Sequence, residues 1–259
     1  MVATAVLFFL PVYVLVNMSL RKSSDQAGAL DLPTEVTFEN FGNAWVQGNL
    51  GNALVNSTIV TIVSVGLLVV FAAMASYPLS RIGSKWSNGV YFLFLAGLLL
   101  PPQLGMIPLY QTMRDIGLLG SVWGLVLYYV GVQMPFSVFL YSGFLRTMPK
   151  EYEEAASLDG ASRMQMFWRV VFPLLRPITG TVVILNVLNV WNDFLTPLLY
   201  LSGSGQQTVP VTLYSFVGQY VSDWNLVFAG LVISVAPVLI VYFLLQKTVI
   251  QGFASGLKG

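Results

Sequence analysis

Apolar runs of bilayer length, separated by short polar stretches, set the terms for this chain. They lie at about residues 2–20, 53–79, 89–109, 121–145, 174–201 and 225–246. Each matches the ~20 residues needed to cross the hydrocarbon core of a membrane. Lipid offers no water to an unpaired backbone, so such a run must close its own hydrogen bonds as an α-helix. The predicted fold class is an all-α membrane protein with six transmembrane helices. Charged residues make up only 9% of the chain, against about 25% in soluble domains.

The absent residue types exclude several chemistries. There is no cysteine and no histidine, so thiol chemistry, disulfides, Ser-His triads and most transition-metal sites are ruled out, and no metal site is expected. A net charge of +1 speaks against a nucleic-acid partner. No G-x-x-x-x-G-K-[ST] occurs in the sequence, so no P-loop is available to bind ATP.

The amino-terminal run has a competing reading as a signal peptide, helped by Ala27-Gly28-Ala29. The lack of a basic n-region and the length of the apolar run oppose it, and the missing basic flank fits a start upstream of Met1. Residues 21–50 read as an extramembrane segment with a short amphipathic piece near Phe38 to Trp45.

The longest charged interruption is Glu151 to Pro173, EYEEAASLDGASRMQMFWRVVFP, between two apolar runs. It must emerge into water, and it carries its own helix signals. Pro149 suits a first turn, and Glu151, Glu153 and Glu154 fall where the helix dipole favours carboxylates. Tyr152, Ala155 and Ala156 form a small apolar face, and Gly160 is a left-handed stop. A second helix follows, with Met164, Phe167, Trp168 and Val171 on one side. An amphipathic connector lying on the lipid headgroups would share part of this pattern, but needs neither the glycine nor the Ala-Ala pair.

This run resembles the EAA loop of ABC-importer permeases, E-A-A, three residues, G, nine residues, I-x-L-P. Here it reads Glu154-Ala155-Ala156, Gly160, then Val170-Val171-Phe172-Pro173, with Val170 and Phe172 as apolar replacements. Asp159-Gly160-Ala161 brings it close to the sugar-importer, MalG-like branch. Tyr77-Pro78-Leu79-Ser80-Arg81, Pro108-Leu109-Tyr110, Gly117-Leu118, Pro149-Lys150-Glu151 and Trp191-Asn192-Asp193-Phe194 extend the likeness, as do Gln251-Gly252 and Lys258-Gly259 at the tail.

The resemblance implies a type I importer permease fold whose cytoplasmic loop is a coupling helix docked on an ATPase. It assigns that role to Glu151, Glu154, Ala155, Ala156, Asp159, Gly160 and Ala161. It implies a second permease subunit (MalF-like), two cytoplasmic ATPases that hold ATP and Mg, and an extracytoplasmic solute-binding protein. This chain would bind no cofactor itself and catalyse nothing. The expected organisation is a first helix and external segment over 1–50, a permease core over 51–248 and a cytoplasmic tail over 249–259. The expected location is the cytoplasmic (inner) membrane of a bacterium or archaeon.

With this loop inside, the cytoplasmic segments hold Arg81, Lys85, Arg146, Lys150, Arg163, Arg169, Arg176, Lys247 and Lys258, nine cations against Arg21, Lys22 and Arg114 outside. That bias puts both termini in the cytoplasm. Arg21 and Lys22 run against it.

A solute path needs polar side chains facing the bundle interior. The fifth run supplies Asn186, Asn189 and Asp193 at i, i+3, i+7, with Thr196 continuing the face and Asn192 at its edge. Gln133 heads a weaker stripe in the fourth. Amides and carboxylates suit sugar hydroxyls, and the same groups serve equally as interhelical hydrogen-bonding contacts. The cargo stays open between mono-, di- and oligosaccharides, with glycerol 3-phosphate mildly disfavoured because the stripe lacks a base. An ion-coupled secondary transporter is the other transport reading, but it lacks a visible internal repeat and an ionisable relay. An intramembrane enzyme would have to work without His or Cys.

Overall fold

The structure is a computed structural model describing residues 2–25, 27–217 and 223–256, with side chains described from 7 to 244 within those ranges. Among the described residues there is no β-strand, only an isolated antiparallel bridge between Arg21 and Val36. The helices are α1 (Val2–Ser19), α2 (Glu39–Gln47), α3 (Leu50–Arg81), α4 (Lys85–Leu99), α5 (Met106–Asp115), α6 (Val122–Thr147) and α7 (Glu151–Leu158). They continue with α8 (Arg163–Met166), α9 (Phe172–Leu174), α10 (Arg176–Asn192), α11 (Leu195–Tyr200), α12 (Val209–Tyr214) and α13 (Trp224–Gly256).

Of the described helices, α3, α6 and the Trp224–Leu244 part of α13 are each long and apolar enough to cross a membrane. The third and fifth apolar runs are instead broken. In the third, α4 and the Pro102–Asp115 segment meet at a bend of 95°; the fifth parts at residues 193–194, between α10 and α11, and a bend of 73° where Arg163–Leu174 meets α10 marks its start. Counting each bent pair as one span gives up to five, and Leu7–Ser19 is a shorter apolar helix. Proline explains the first break. Pro101 forces Leu100 into extended backbone (ψ 120°), and Pro102 does the same to Pro101 (ψ 126°). The chain then turns through a short 3₁₀ segment into α5.

The chain divides into two compact units. One comprises Met1–Ile59, Gly120–Val122 and Asn192–Ile240. Its core gathers Ala44, Leu50, Ala53, Val209, Leu213, Phe216, Leu226 and Ala229. The amphipathic piece expected near Phe38 is α2, which buries Asn40 and Ala44. The Asn40 amide donates to the carbonyls of Ser19 and Arg21. Arg21 is only 1% exposed. Its guanidinium donates to the carbonyls of Ala27 and Asp31 and lies 3.8 Å from Asp25, while Lys22 pairs with Glu35. The two cations that run against the charge bias thus have a local use, organising the segment after α1. Asp25 accepts the backbone N–H groups of Ala27 and Thr34, and those bonds hold its carboxyl below the usual range.

The other unit comprises Val60–Leu119, Trp123–Trp191 and Val241–Gly259. Its core is built from Ala72, Ala73, Val138, Tyr141, Leu145, Phe167, Val171, Leu175 and Val182. Ala72, Ala73 and Ser76 are small and fully buried, and such residues let helices approach closely in a membrane. Ser76 donates to the Val138 carbonyl, and Tyr141 to the Thr179 hydroxyl at 3.0 Å. At 32 residues, α3 is about 48 Å long, well beyond the ~30 Å hydrocarbon thickness.

Candidate functional site

The Glu151–Pro173 run folds as a helical elbow. Lys150 precedes α7, and its carbonyl accepts from the N–H groups of Glu153 and Glu154. Three carboxylates, Glu151, Glu153 and Glu154, occupy the first turn, where the dipole favours them. The helix ends at Gly160, whose φ of +80° is the left-handed stop expected from the sequence. The N–H of Gly160 bonds to the Ser157 carbonyl and that of Ala161 to the Ala156 carbonyl, the paired bonds of a Schellman motif. Ser162 then restarts the chain through a capping box with Gln165. α8 passes into a π-helical turn, Phe167–Val171, and then α9.

The two expected apolar faces are only partly realised. α7 buries no residue at all, and Tyr152 stands 52% exposed. In the second half Phe167 and Val171 enter the core, whereas Met164 and Trp168 stay exposed. The four residues thus divide into two i, i+4 pairs, Phe167 and Val171 turned inward and Met164 and Trp168 outward.

What holds α7 is a charge pair with α3. Glu153 Oε1 accepts from Arg81 Nε at 2.7 Å, and Oε2 accepts from the Tyr77 hydroxyl at 3.0 Å. Sequence reasoning took Glu153 only as a helix-dipole carboxylate. A pairing 72 positions away leaves no periodic signal within either segment. Beside the pair is a cavity of about 480 Å³ lined by Met74, Tyr77, Pro78 and Arg81 of α3 and by Ser157, Ala161 and Arg163 of the elbow. Of the residues assigned to coupling, Glu151, Glu154, Ala155, Asp159 and Gly160 are exposed, and Ala156 and Ala161 are half-buried. No atom stands within 4 Å of a Cβ built on Gly160.

The expected polar stripe divides. Asn189 is exposed, and its Oδ1 accepts from Gln133 Nε2, so α6 and α10 present a joined amide pair. Asn186 is 1% exposed. It donates to the Ser137 hydroxyl at 3.3 Å and to the Val182 carbonyl at 2.8 Å, making it an interhelical contact. Asn192 is the last residue of α10, and Asp193 lies in the break before α11, half-buried, with Oδ1 accepting from the Thr196 N–H. The helix ends before i+7, so Asp193 and Thr196 do not continue the α10 face. The tail positions Lys258 and Gly259 lie outside the described residues, as does the side chain of Gln251.

Helices long and apolar enough to cross a membrane, with an exposed glycine-hinged elbow strapped to the end of one of them, define a helical membrane protein. The chain belongs to the family of binding-protein-dependent transport system inner membrane components, matching it over residues 67–254. It is 36% identical over 249 residues to the melibiose/raffinose/stachyose import permease MelC of Bacillus subtilis, covering 96% of this chain and 90% of that one. The probable starch degradation products permease AmyC of Thermoanaerobacterium thermosulfurigenes is 35% identical, covering 98% and 93%. The multiple sugar-binding transport system permease MsmG of Streptococcus mutans is 34% identical, covering 97% and 92%. A chain in the crystal structure of a bacterial ABC transporter that imports the acidic polysaccharide alginate shares the fold. It gives a TM-score of 0.83 at 24% identity, covering 95% of this chain and 92% of that one.

Proposed function

We propose that this chain is a permease subunit of an ATP-driven, binding-protein-dependent importer that carries a sugar. The observation that carries the reading is the exposed elbow. Glu154, Ala155 and Gly160 are exposed, on and just after a helix with no fully buried residue. Such a surface is suited to a cleft on another subunit. The sugar-importing relatives support the cargo class.

In this reading the chain crosses the membrane six times, through the amino-terminal helix, α3, the bent Lys85–Asp115 segment, α6, the run 174–201 and α13, with both termini and the elbow in the cytoplasm. The segment 1–50 holds the first span and an external segment, 51–248 the core and 249–259 the tail. A second permease completes the pathway, two ATPases holding ATP and Mg grip the elbows, and an external binding protein delivers the solute. Closure of the ATPases draws the elbows together and biases the helices toward the outward-open arrangement. The Gln133–Asn189 amide pair supplies donors and acceptors for sugar hydroxyls, while Asn186 holds α10 against α6. Asn192 and Asp193 are assigned to the path on their polarity alone.

The test is reconstitution with the ATPases, the second permease and the binding protein, with ATP hydrolysis followed across melibiose, raffinose, maltodextrins and chitobiose. Binding-protein-dependent stimulation by one of them is expected. Uptake by the chain in vesicles that lack an ATPase would overturn the reading.

A further inference from the structure

We propose that Glu153, Arg81 and Tyr77 form a positioning clamp that makes the elbow and the end of α3 one rigid body, a role that rests on the coupling reading of the elbow. α7 has eight residues, none of them fully buried. A helix so short does not persist unaided, and one without a buried face is not positioned by packing. Toward α3 it borders the 480 Å³ cavity. The Glu153 carboxylate joins the two helices beside that cavity, with one oxygen on each of two α3 side chains.

Those side chains reach further than α7. Arg81 Nη2 also donates to the Met148 carbonyl at 3.1 Å, just ahead of the helix. The Tyr77 hydroxyl lies 3.2 Å from Met166 Sδ, beyond the hinge. Positions 77 and 81 are i, i+4 and share one face of α3, so a single helix face touches the elbow before, within and after α7. The pair is sheltered, with Arg81 and Glu153 side chains 11% and 12% exposed, where an ion pair is less screened than at the surface. α3 stays helical through Pro78, and the Ile82 N–H bonds to the Pro78 carbonyl at 2.9 Å. A push on α7 therefore passes into α3 instead of being absorbed by rotation at Lys150 and Gly160.

The chain has no cysteine, so nitroxides can be placed at Tyr152→Cys and Ile82→Cys, both 52% exposed. EPR on the full chain in nanodiscs should give one narrow distance distribution. Joined to its ATPases, the same pair should keep that distance with and without ATP. Glu153→Ala should broaden the distribution, Arg81→Glu should do likewise, and Arg81→Glu combined with Glu153→Arg should narrow it again. Uptake per ATP hydrolysed should fall when the clamp is broken and return with the charge swap. A Glu153→Ala distribution that superimposes on the parent, or a parent distance that shifts with ATP, overturns the clamp. Undiminished ATPase binding by Gly160→Trp would sink the coupling reading instead, and leaves the label distances untouched.

Discussion

Gly160 separates what this chain does for itself from what it does to a partner. Its φ of +80° belongs to the left-handed region, where a Cβ costs about 1–2 kcal/mol. Nothing in the chain lies within 4 Å of that Cβ, so the whole intramolecular cost is backbone strain. Alanine and tryptophan should therefore destabilise the hinge equally, by a factor of roughly 5–30 in the folded-to-frayed ratio, and asparagine by less. Hydrogen exchange at the Gly160 and Ala161 amides, which close the α7 terminus, reads that ratio directly. Attachment of the ATPases reads something else. The indole of Gly160→Trp points into space that is open in this chain, so any loss of attachment beyond that of Gly160→Ala must come from a clash with a partner. Retention of the ATPases by Ala but not Trp is the expected result. Equal attachment of the two variants would refute the idea that this surface is buried in the complex.

Asn189→Ala and Gln133→Ala should each abolish most sugar-stimulated ATP hydrolysis while leaving thermal stability in detergent nearly unchanged. Asn186→Ala should instead lower stability by about 0.6–1.7 kcal/mol, measured as a shift of the unfolding midpoint. Gly124→Ala should destabilise the chain by ~1–3 kcal/mol, because its Cβ would sit 2.3 Å from the Leu118 carbonyl oxygen, whereas Gly131→Ala meets open space and should be silent. The Asp25 carboxyl has a folded pKa below its unfolded value. Its contribution to the segment after α1 is complete above about pH 3.9 and is lost as pH falls through the lower folded value. Limited proteolysis of residues 20–37 across an acid titration should show that loss, and Asp25→Asn should remove it.

The helical class, the elbow and its hinge were legible from local chemistry. Apolar runs of bilayer length admit only helices, and the left-handed turn at Gly160 follows from the one residue type that adopts it freely. The breaks in the third and fifth runs were harder to read. Pro101 and Pro102 mark the interruption of the third run in the sequence, but hydropathy averages over a kink, and only the backbone gives the size of that bend or shows that α10 stops at Asn192. The sequence pattern could not separate Asn186 from Asn189 either, since an i, i+3 pair on a helix shares a face until a neighbouring helix covers one of them.

By itself, then, the order of residues determined everything that depends on neighbours within a turn or two. That includes the helical state of the apolar runs, where α7 ends, and that Glu151, Glu153 and Glu154 share its first turn. Only the tertiary structure decided which of those carboxylates looks outward and which is strapped to α3. Glu153 and Arg81 are 72 residues apart, and no local rule brings them together. Their 2.7 Å contact exists because packing of the α3, α6 and α10 cores delivers the end of α3 beside the elbow, where sheltered opposite charges are held.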